Sequence, residues 1–426
     1  MRICIAASEF PPVFAGGIAT FYGTLADLLS SAGHEVSVLT DVPAEPARFD
    51  DDALPYTVKR LSLRTGRPAT GDDYRRALEA EGGAFDVIEA ADYSGLGVHL
   101  PGLQPALAIT CHGTVGQVDH HSGRTEPPRK NRLRSHHELL ALLTADEVNC
   151  HSPANQEDWQ RFLGRRPMFS RAPYLAGESR ENSKLSEAID SDLELFGVGR
   201  LNNWKGVLEL AEAVDRVRAT GLRVRLKWVG RDQDAPEEGI RSVLEHLRTS
   251  RPRFFHEAFE WQQSATPSEV RSAHLSCHAA VVPSRWDTFN FTAVEALDCS
   301  APLIVSRGAG ASYLCRPDEN ALVVDARSVD QLTDAIIRLR DPSLRQRIGR
   351  AGKRTVEEHF TADAIVADRL AVYESAIDRR RYRAKHRYGS VAGIAEAAKR
   401  NARIALGSRL RSLGRRLLGA GGRTPR

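Results

Sequence analysis

Short apolar runs recur along the chain, separated by helix-length stretches in which apolar residues repeat at three and four. The first run, residues 3 to 7, leads into a Pro/Gly-containing loop, a helical pattern over about residues 18 to 31, Gly33, and a second run over residues 36 to 40. That order predicts a strand–helix–strand opening. Further runs at residues 87–88, 106–111 and 147–150 alternate with helical stretches such as 133–143. Between about Gly177 and Asp192 the chain reads GESRENSKLSEAIDSD, which is polar and has no face to bury. Alternation then resumes, with runs at 193–198, 224–229, 278–282, 302–306 and 322–325. The pattern predicts an α/β fold of two doubly wound parallel-sheet domains facing each other across a cleft.

Length agrees with this division, since 426 residues exceed what one core usually serves. Hydrophobic residues make up 42% and charged residues 27%, and no apolar run approaches the roughly 18 residues of a membrane span. The chain is therefore expected to be neither transmembrane nor largely disordered. Its start turns polar at Ser8 and Glu9, too early for a secretory signal, so a cytoplasmic location is expected. The cysteines (Cys4, Cys111, Cys150, Cys277, Cys299 and Cys315) are scattered and mostly beside apolar residues, as reduced, buried thiols are.

The net charge of +4 hides an asymmetry. Residues 379 to 426 hold 15 Lys+Arg against the single acidic Glu396, a charge of +14, and the remainder carries −10. A nucleic-acid binder would spread its positive charge over the body, so no nucleic-acid partner is expected. From Ile394 to Leu417, apolar residues recur at three or four and are flanked by Lys399, Arg400, Arg403, Arg409, Arg411, Arg415 and Arg416. This predicts a basic amphipathic helix, able to hold the chain to an anionic membrane surface through residues 391–418. A disordered basic tail is the other reading.

Ligands of doubly wound folds bind at the carboxyl ends of the strands, so the loops there are where chemistry is sought. In EFPPVFAGGIATF, Gly16 and Gly17 precede the first helix, where bare backbone N–H groups suit a phosphate or sugar hydroxyl; a loop that merely needs positive φ would read the same. His112, in ALAITCHGT, directly follows a strand and stands at the cleft edge, although a lone histidine is more often structural. In LFGVGRLNNWKG, Arg200 and Lys205 can converge on one anion, such as a diphosphate, or be a solvated pair of charges. In VVPSRWDTFNFTAVEAL, Asp287 and Glu295 can accept hydrogen bonds from the diol of a sugar or ribose, or serve as a helix-terminal charge pair. Asp190-Ser191-Asp192 sits in the expected linker, and the pairs His120-His121 and His136-His137 are read as surface groups.

Taken together, the opening EFPPVFAGGIATF, the loop CHGT, the segment ADEVNCHS, GRLNNWKG and the block PSRWDTFNFTAVEAL resemble the retaining glycosyltransferases of family four (glycosyl transferases group 1), over about residues 1 to 378. The resemblance implies the GT-B architecture, two Rossmann-like domains around a cleft. In those terms residues 1–176 form the acceptor-side domain, 177–192 the linker and 193–362 the nucleotide-sugar donor domain. A closing helix at 363–378 packs back toward the N-terminal domain, and 379–426 form the basic tail. It further implies that Arg200 and Lys205 hold the donor diphosphate, Glu295 the ribose hydroxyls and Asp287 the transferred sugar. Phe289, Asn290 and Phe291 belong to the same donor-binding block. His112 would lie near the reacting carbon, and Gly16 and Gly17 would let donor phosphate and acceptor approach the backbone. Two positions depart from the family pattern: Asp287 stands where Glu is usual, and Asn290, within FNF, stands where Gly is usual.

The activity so implied is transfer of a hexose-type sugar from a nucleotide diphosphate sugar to a glycan or lipid-linked acceptor, with retention and with neither cofactor nor metal. Two fixed cations can stabilise the leaving diphosphate without a divalent ion. A nucleotide-sugar epimerase of the same architecture, or a non-catalytic nucleotide-sugar-binding scaffold, is the alternative.

Overall fold

The computed structural model describes residues 1–12, 17–41, 50–61, 69–177, 181–186 and 192–386. Gly16, parts of the expected linker (178–180 and 187–191) and the expected tail from residue 387 onward, with its 391–418 stretch, lie outside the described residues.

Seven parallel strands build the first sheet: β1 (Arg2–Ala7), β2 (Glu35–Asp41), β3 (Thr57–Leu61), β4 (Val87–Ala91), β5 (Ala106–Thr110), β6 (Glu147–Cys150) and β7 (Met168–Phe169), in the order β3-β2-β1-β4-β5-β6-β7. Six parallel strands build the second: β8 (Leu193–Val198), β9 (Val224–Val229), β10 (Phe259–Gln262), β11 (Ala279–Val282), β12 (Leu303–Ser306) and β13 (Leu322–Val324), in the order β10-β9-β8-β11-β12-β13. Both sheets reverse direction beside their first strand, at β1/β4 and at β8/β11. Those two switch points are where a doubly wound sheet opens a crevice.

The central strands are those the apolar runs predicted, because helices cover both their faces. β3, β7 and β10 have no such run. All three lie at a sheet edge, β7 is only two residues long, and β3 (TVKRL) and β10 (FEWQ) leave part of their side chains to solvent, whereas the fourth edge strand, β13, keeps its apolar run.

After β13 the chain forms the helices Val329–Arg338 and Pro342–His359, then the 25-residue helix Ala362–His386, which packs against β5 and β6 of the first sheet. This helix runs past the expected end of the closing segment at 378, so residues 379–386 belong to it and not to a separate tail. Arg379 pairs with the buried Glu147 at 2.9 Å and Arg383 with the buried Asp146 at 3.1 Å, which keeps these turns attached. Deeper in, Arg369 has no solvent exposure. Its Nη1 donates to Glu89 at 2.9 Å and to Thr110 at 3.0 Å, Tyr373 also donates to Glu89, and the guanidinium lies 5.4 Å from the Phe21 ring centroid. An ion pair at this depth is stable only because each charge has the other and further hydrogen bonds.

Removing one partner strands the other. Arg369→Met is expected to cost about 3–5 kcal/mol, read as a clear fall in the midpoint of thermal unfolding; an unchanged midpoint would contradict the pairing.

Candidate active site

After β8 the chain passes Gly199 and Arg200 into a single turn, Asn203–Lys205, whose first free N–H groups are capped when the Asn202 side chain accepts from Lys205 N at 3.1 Å. Gly206 follows at φ +73°, and a Cβ there would lie 2.0 Å from the carbonyl oxygen of Pro283. Only glycine lets this loop abut the loop after β11. The approach carries the Lys205 ammonium onto Asp287, where it pairs with Oδ2. Asn290 completes the group by donating to Asp287 Oδ2 at 2.8 Å.

Asn290 takes φ +86°, in the left-handed region where glycine is usual and asparagine is tolerated. Its side chain then makes two contacts glycine cannot: the amide nitrogen on Asp287, and Oδ1 accepting from Ala293 N at 3.2 Å as cap of the helix Phe291–Asp298. The two departures from the family pattern are thus bonded to each other. That helix carries Glu295, whose carboxyl is pushed up to about 7 by burial and by the neighbouring Asp298, with Arg271 opposing.

Arg200 has no carboxylate within ion-pair distance among the described residues. Its guanidinium lies 5.2 Å from the Trp204 ring centroid and the Lys205 ammonium 5.1 Å from the same ring, so one indole steadies both cations. Burial lowers the Arg200 guanidinium from its ordinary value and Asp287 works against that, but an arginine stays charged in either case.

On the facing domain, Asp92 after β4 accepts the backbone N–H of His112 at 2.9 Å and of Gly113 at 3.2 Å, which fixes the loop after β5. The His112 ring packs edge-on against Phe21 at 4.5 Å, with Nε2 3.3 Å from the Tyr22 hydroxyl. Burial, and then the positive Arg369 behind it, hold its pKa down to about 3, so the imidazole is neutral. The Asp92 carboxyl is pushed up to about 6 by burial, against the backbone N–H groups that favour its charge.

The two loop sets meet directly. Thr288 Oγ1 donates to the His112 carbonyl at 3.2 Å and Ser152 Oγ to the Thr288 carbonyl at 2.7 Å. Gly17, at the start of the helix Gly17–Ser31, faces Phe291, whose ring would be 3.6 Å from a Cβ placed there. Phe289 is buried beside His151, with ring centroids 6.3 Å apart. Of the residues singled out from sequence, Lys205, Asp287 and Asn290 are in contact with one another, and Arg200 shares Trp204 with Lys205. His112 and Gly17 stand on the opposite wall. Glu295 is one element removed, on the helix behind Asn290.

Several residues of this region carry no signal in the sequence. His121, read as a surface group, stacks on Trp286 of the other domain with centroids 4.1 Å apart and planes 8° from parallel, and burial lowers it to about 4. Trp204 and Trp286 were legible only as apolar residues next to charged ones. Asp92 follows an apolar run ending in Ala90-Ala91, and nothing local ties it to His112, twenty positions on.

Comparisons with known proteins cover both domains. The profile of glycosyl transferases group 1 matches residues 179–355, and that of glycosyltransferase family 4 matches residues 15–168. A lipopolysaccharide core biosynthesis glycosyltransferase of Rhizobium meliloti is 31% identical over 263 residues, which cover 59% of this chain and 71% of the relative. A glycogen synthase of Mycobacterium tuberculosis is 24% identical over 434 residues, 88% of this chain and 95% of the relative. Among solved structures, sucrose-phosphate synthase from Thermosynechococcus elongatus superposes with a TM-score of 0.68 at 19% identity, covering 88% of this chain and 98% of that one. Anabaena HepE in complex with UDP and glucose does so with a TM-score of 0.64 at 16% identity, covering 88% and 100%. With its two doubly wound domains, its facing loops and these relatives, the chain belongs to the glycosyl transferases group 1, family four, and is a GT-B glycosyltransferase.

Proposed function

We propose that the chain transfers a hexose-type sugar, with retention, from a nucleotide diphosphate sugar to a glycan or lipid-linked acceptor. The observation that carries this reading is the cluster at the β8/β11 switch point. There Arg200 and Lys205 flank Trp204, and the Asp287 and Asn290 loop leads into the helix of Glu295. Neighbours of the same fold solved with UDP (Anabaena HepE) and with ADP (Arabidopsis thaliana starch synthase IV) support a nucleotide donor.

The chemistry follows from where charge builds. As the bond from sugar to diphosphate breaks, negative charge collects on the phosphate and oxocarbenium character on the sugar. Arg200 and the N–H bonds of Lys205 not given to Asp287 stabilise the first. Asp287, held in place by Lys205 and Asn290, accepts from the sugar hydroxyls. Glu295 accepts from the ribose diol. His112, neutral, offers a hydrogen bond and no charge at the reacting carbon. The acceptor then attacks from the face the phosphate leaves, and the departing phosphate takes its proton, so retention needs no protein nucleophile. Because the two cations supply the electrostatic stabilisation, the reaction proceeds without metal. A basic segment at 391–418 that rests on anionic membrane would bring the enzyme to a lipid-linked acceptor.

Three outcomes follow. Lys205→Ala lowers turnover by ~10²-fold or more, as loss of one pre-organised charge donor commonly does; turnover near wild type, assayed as labelled sugar transferred in EDTA, would sink the assignment. Donor affinity should depend on pH through Glu295. Its carboxyl titrates near 7, only the ionised form offers both oxygens to the diol, and the diphosphate of a nucleotide sugar stays fully ionised throughout. Affinity therefore rises as pH is raised through about 7, and the dependence disappears in Glu295→Gln; an identical profile in both proteins would remove Glu295 from the site. Finally, a donor incubated without acceptor keeps its sugar configuration, whereas an epimerase would change it.

A further inference from the structure

The helix Arg129–Thr144 lies on the outside of the first domain, yet its apolar residues do not stop at the buried side. Ala141 and Leu142 are buried in the core, while Leu133, Leu140 and Leu143 are 59%, 48% and 49% exposed. Positions 133, 140 and 143 fall on one face of a helix, and Arg129, Arg132 and His136, all exposed, lie on that face between and beside them. Arg129, Lys130 and Arg132 form no ion pair among the described residues. The helix has one acidic residue, Glu138, and it is fully buried on the opposite side. The outward face therefore combines three leucines with cations that form no ion pair, and the helix itself adds no carboxylate to it; Asp119 of the neighbouring helix lines the hollow beside Arg132 and His136 and bonds Asn131.

Such a face is costly to leave in water and is matched by a surface that is apolar a few ångströms down and negatively charged at its rim. We propose that this helix face docks onto an anionic lipid bilayer, with the leucines entering the headgroup region and Arg129, Lys130 and Arg132 on the lipid phosphates. Two further features favour this occupant over a second copy of the chain. A second copy docked face to face would set basic residues against basic residues. In addition, the helix Ala362–His386 ends at the same edge, where Arg383 donates to the carbonyls of Thr144 and Ala145 at 3.4 and 3.3 Å. The 40 residues that follow, 387–426, carry ten Lys+Arg and one acidic residue, so positive charge continues from the face into the chain beyond it.

The placement bears on the reaction. Glu138 accepts the Val115 backbone N–H at 2.7 Å, at the start of the helix that directly follows His112-Gly113-Thr114, and also pairs with Arg134 at 3.1 Å. One carboxylate thus ties the docking helix to the loop that forms the acceptor wall. The inference extends the membrane reading given for residues 391–418 and is separable from it.

Flotation of the full chain with mixed phosphatidylglycerol–phosphatidylcholine vesicles, and with phosphatidylcholine alone, tests it. The expected result is binding to the anionic vesicles only, with the partition coefficient reduced at least about tenfold in the triple variant L133S/L140S/L143S. Serine at exposed positions leaves the core intact, and an unchanged thermal midpoint would verify that. Replacing Arg409, Arg411, Arg415 and Arg416 by glutamine in the full chain probes the other segment independently. If that variant loses all binding while the leucine variant binds as wild type does, the helix face is not the docking surface and the tail reading survives. A concentration-dependent dimer that the triple variant abolishes would also overturn the proposal, in favour of a second copy.

Discussion

One arginine without solvent exposure ties the helix Ala362–His386 to the first sheet. Arg369, on that helix, is seated against Glu89 of β4 and Thr110 of β5. A charge so deep is tolerated only where its counter-charge waits, so the helix has one place to lie. That helix follows directly on the helices of the second domain, and its docking sets where the second sheet's loops stand relative to the first's. The contacts across the cleft, Thr288 to His112 and Ser152 to Thr288, are then short bonds between loops already brought together. The same buried positive charge reaches the site itself, because it adds to burial in keeping His112 uncharged.

The two walls of the cleft consequently differ in electrostatic character. The wall from the second sheet carries fixed charge of both signs: Arg200 and Lys205 around one indole, Asp287 bonded to Lys205 and Asn290, and Glu295 balanced near neutrality. The wall from the first sheet presents a neutral imidazole and bare backbone, and the carboxylates that reach its loop, Asp92 and Glu138, are occupied by backbone N–H groups. A polyanionic donor and an uncharged hydroxyl nucleophile ask for that division, since a cation placed beside the sugar would oppose the oxocarbenium character that develops there.

Much of this could be read from the sequence because the informative residues stand directly after apolar strand runs. Arg200 follows β8 within two positions and Asp287 follows β11 within five, so the rule that ligands gather at strand ends finds them without any knowledge of contacts. Their mutual arrangement was less accessible. That the aspartate and the asparagine compensate each other, one shortened carboxylate held by one added amide, depends on a φ of +86° and on a 2.8 Å bond. The edge strands β3 and β10 escaped because a half-exposed strand has no continuous apolar run. Arg369 escaped for a different reason. Within DRLAVYESAIDRR it reads like its solvated neighbours, and the Glu89 that explains it is 280 positions away. His121 against Trp286 is a pairing of the same long-range kind.

The central claim is that the β8/β11 switch point holds the nucleotide diphosphate of a sugar donor. Thermal unfolding of the full chain against UDP, GDP, ADP and their common hexose conjugates, in EDTA, tests it most directly. One nucleotide series is expected to raise the unfolding midpoint, and Arg200→Ala to abolish the rise while leaving the unliganded midpoint in place. No stabilisation by any of them, or a rise that Arg200→Ala leaves intact, would contradict it.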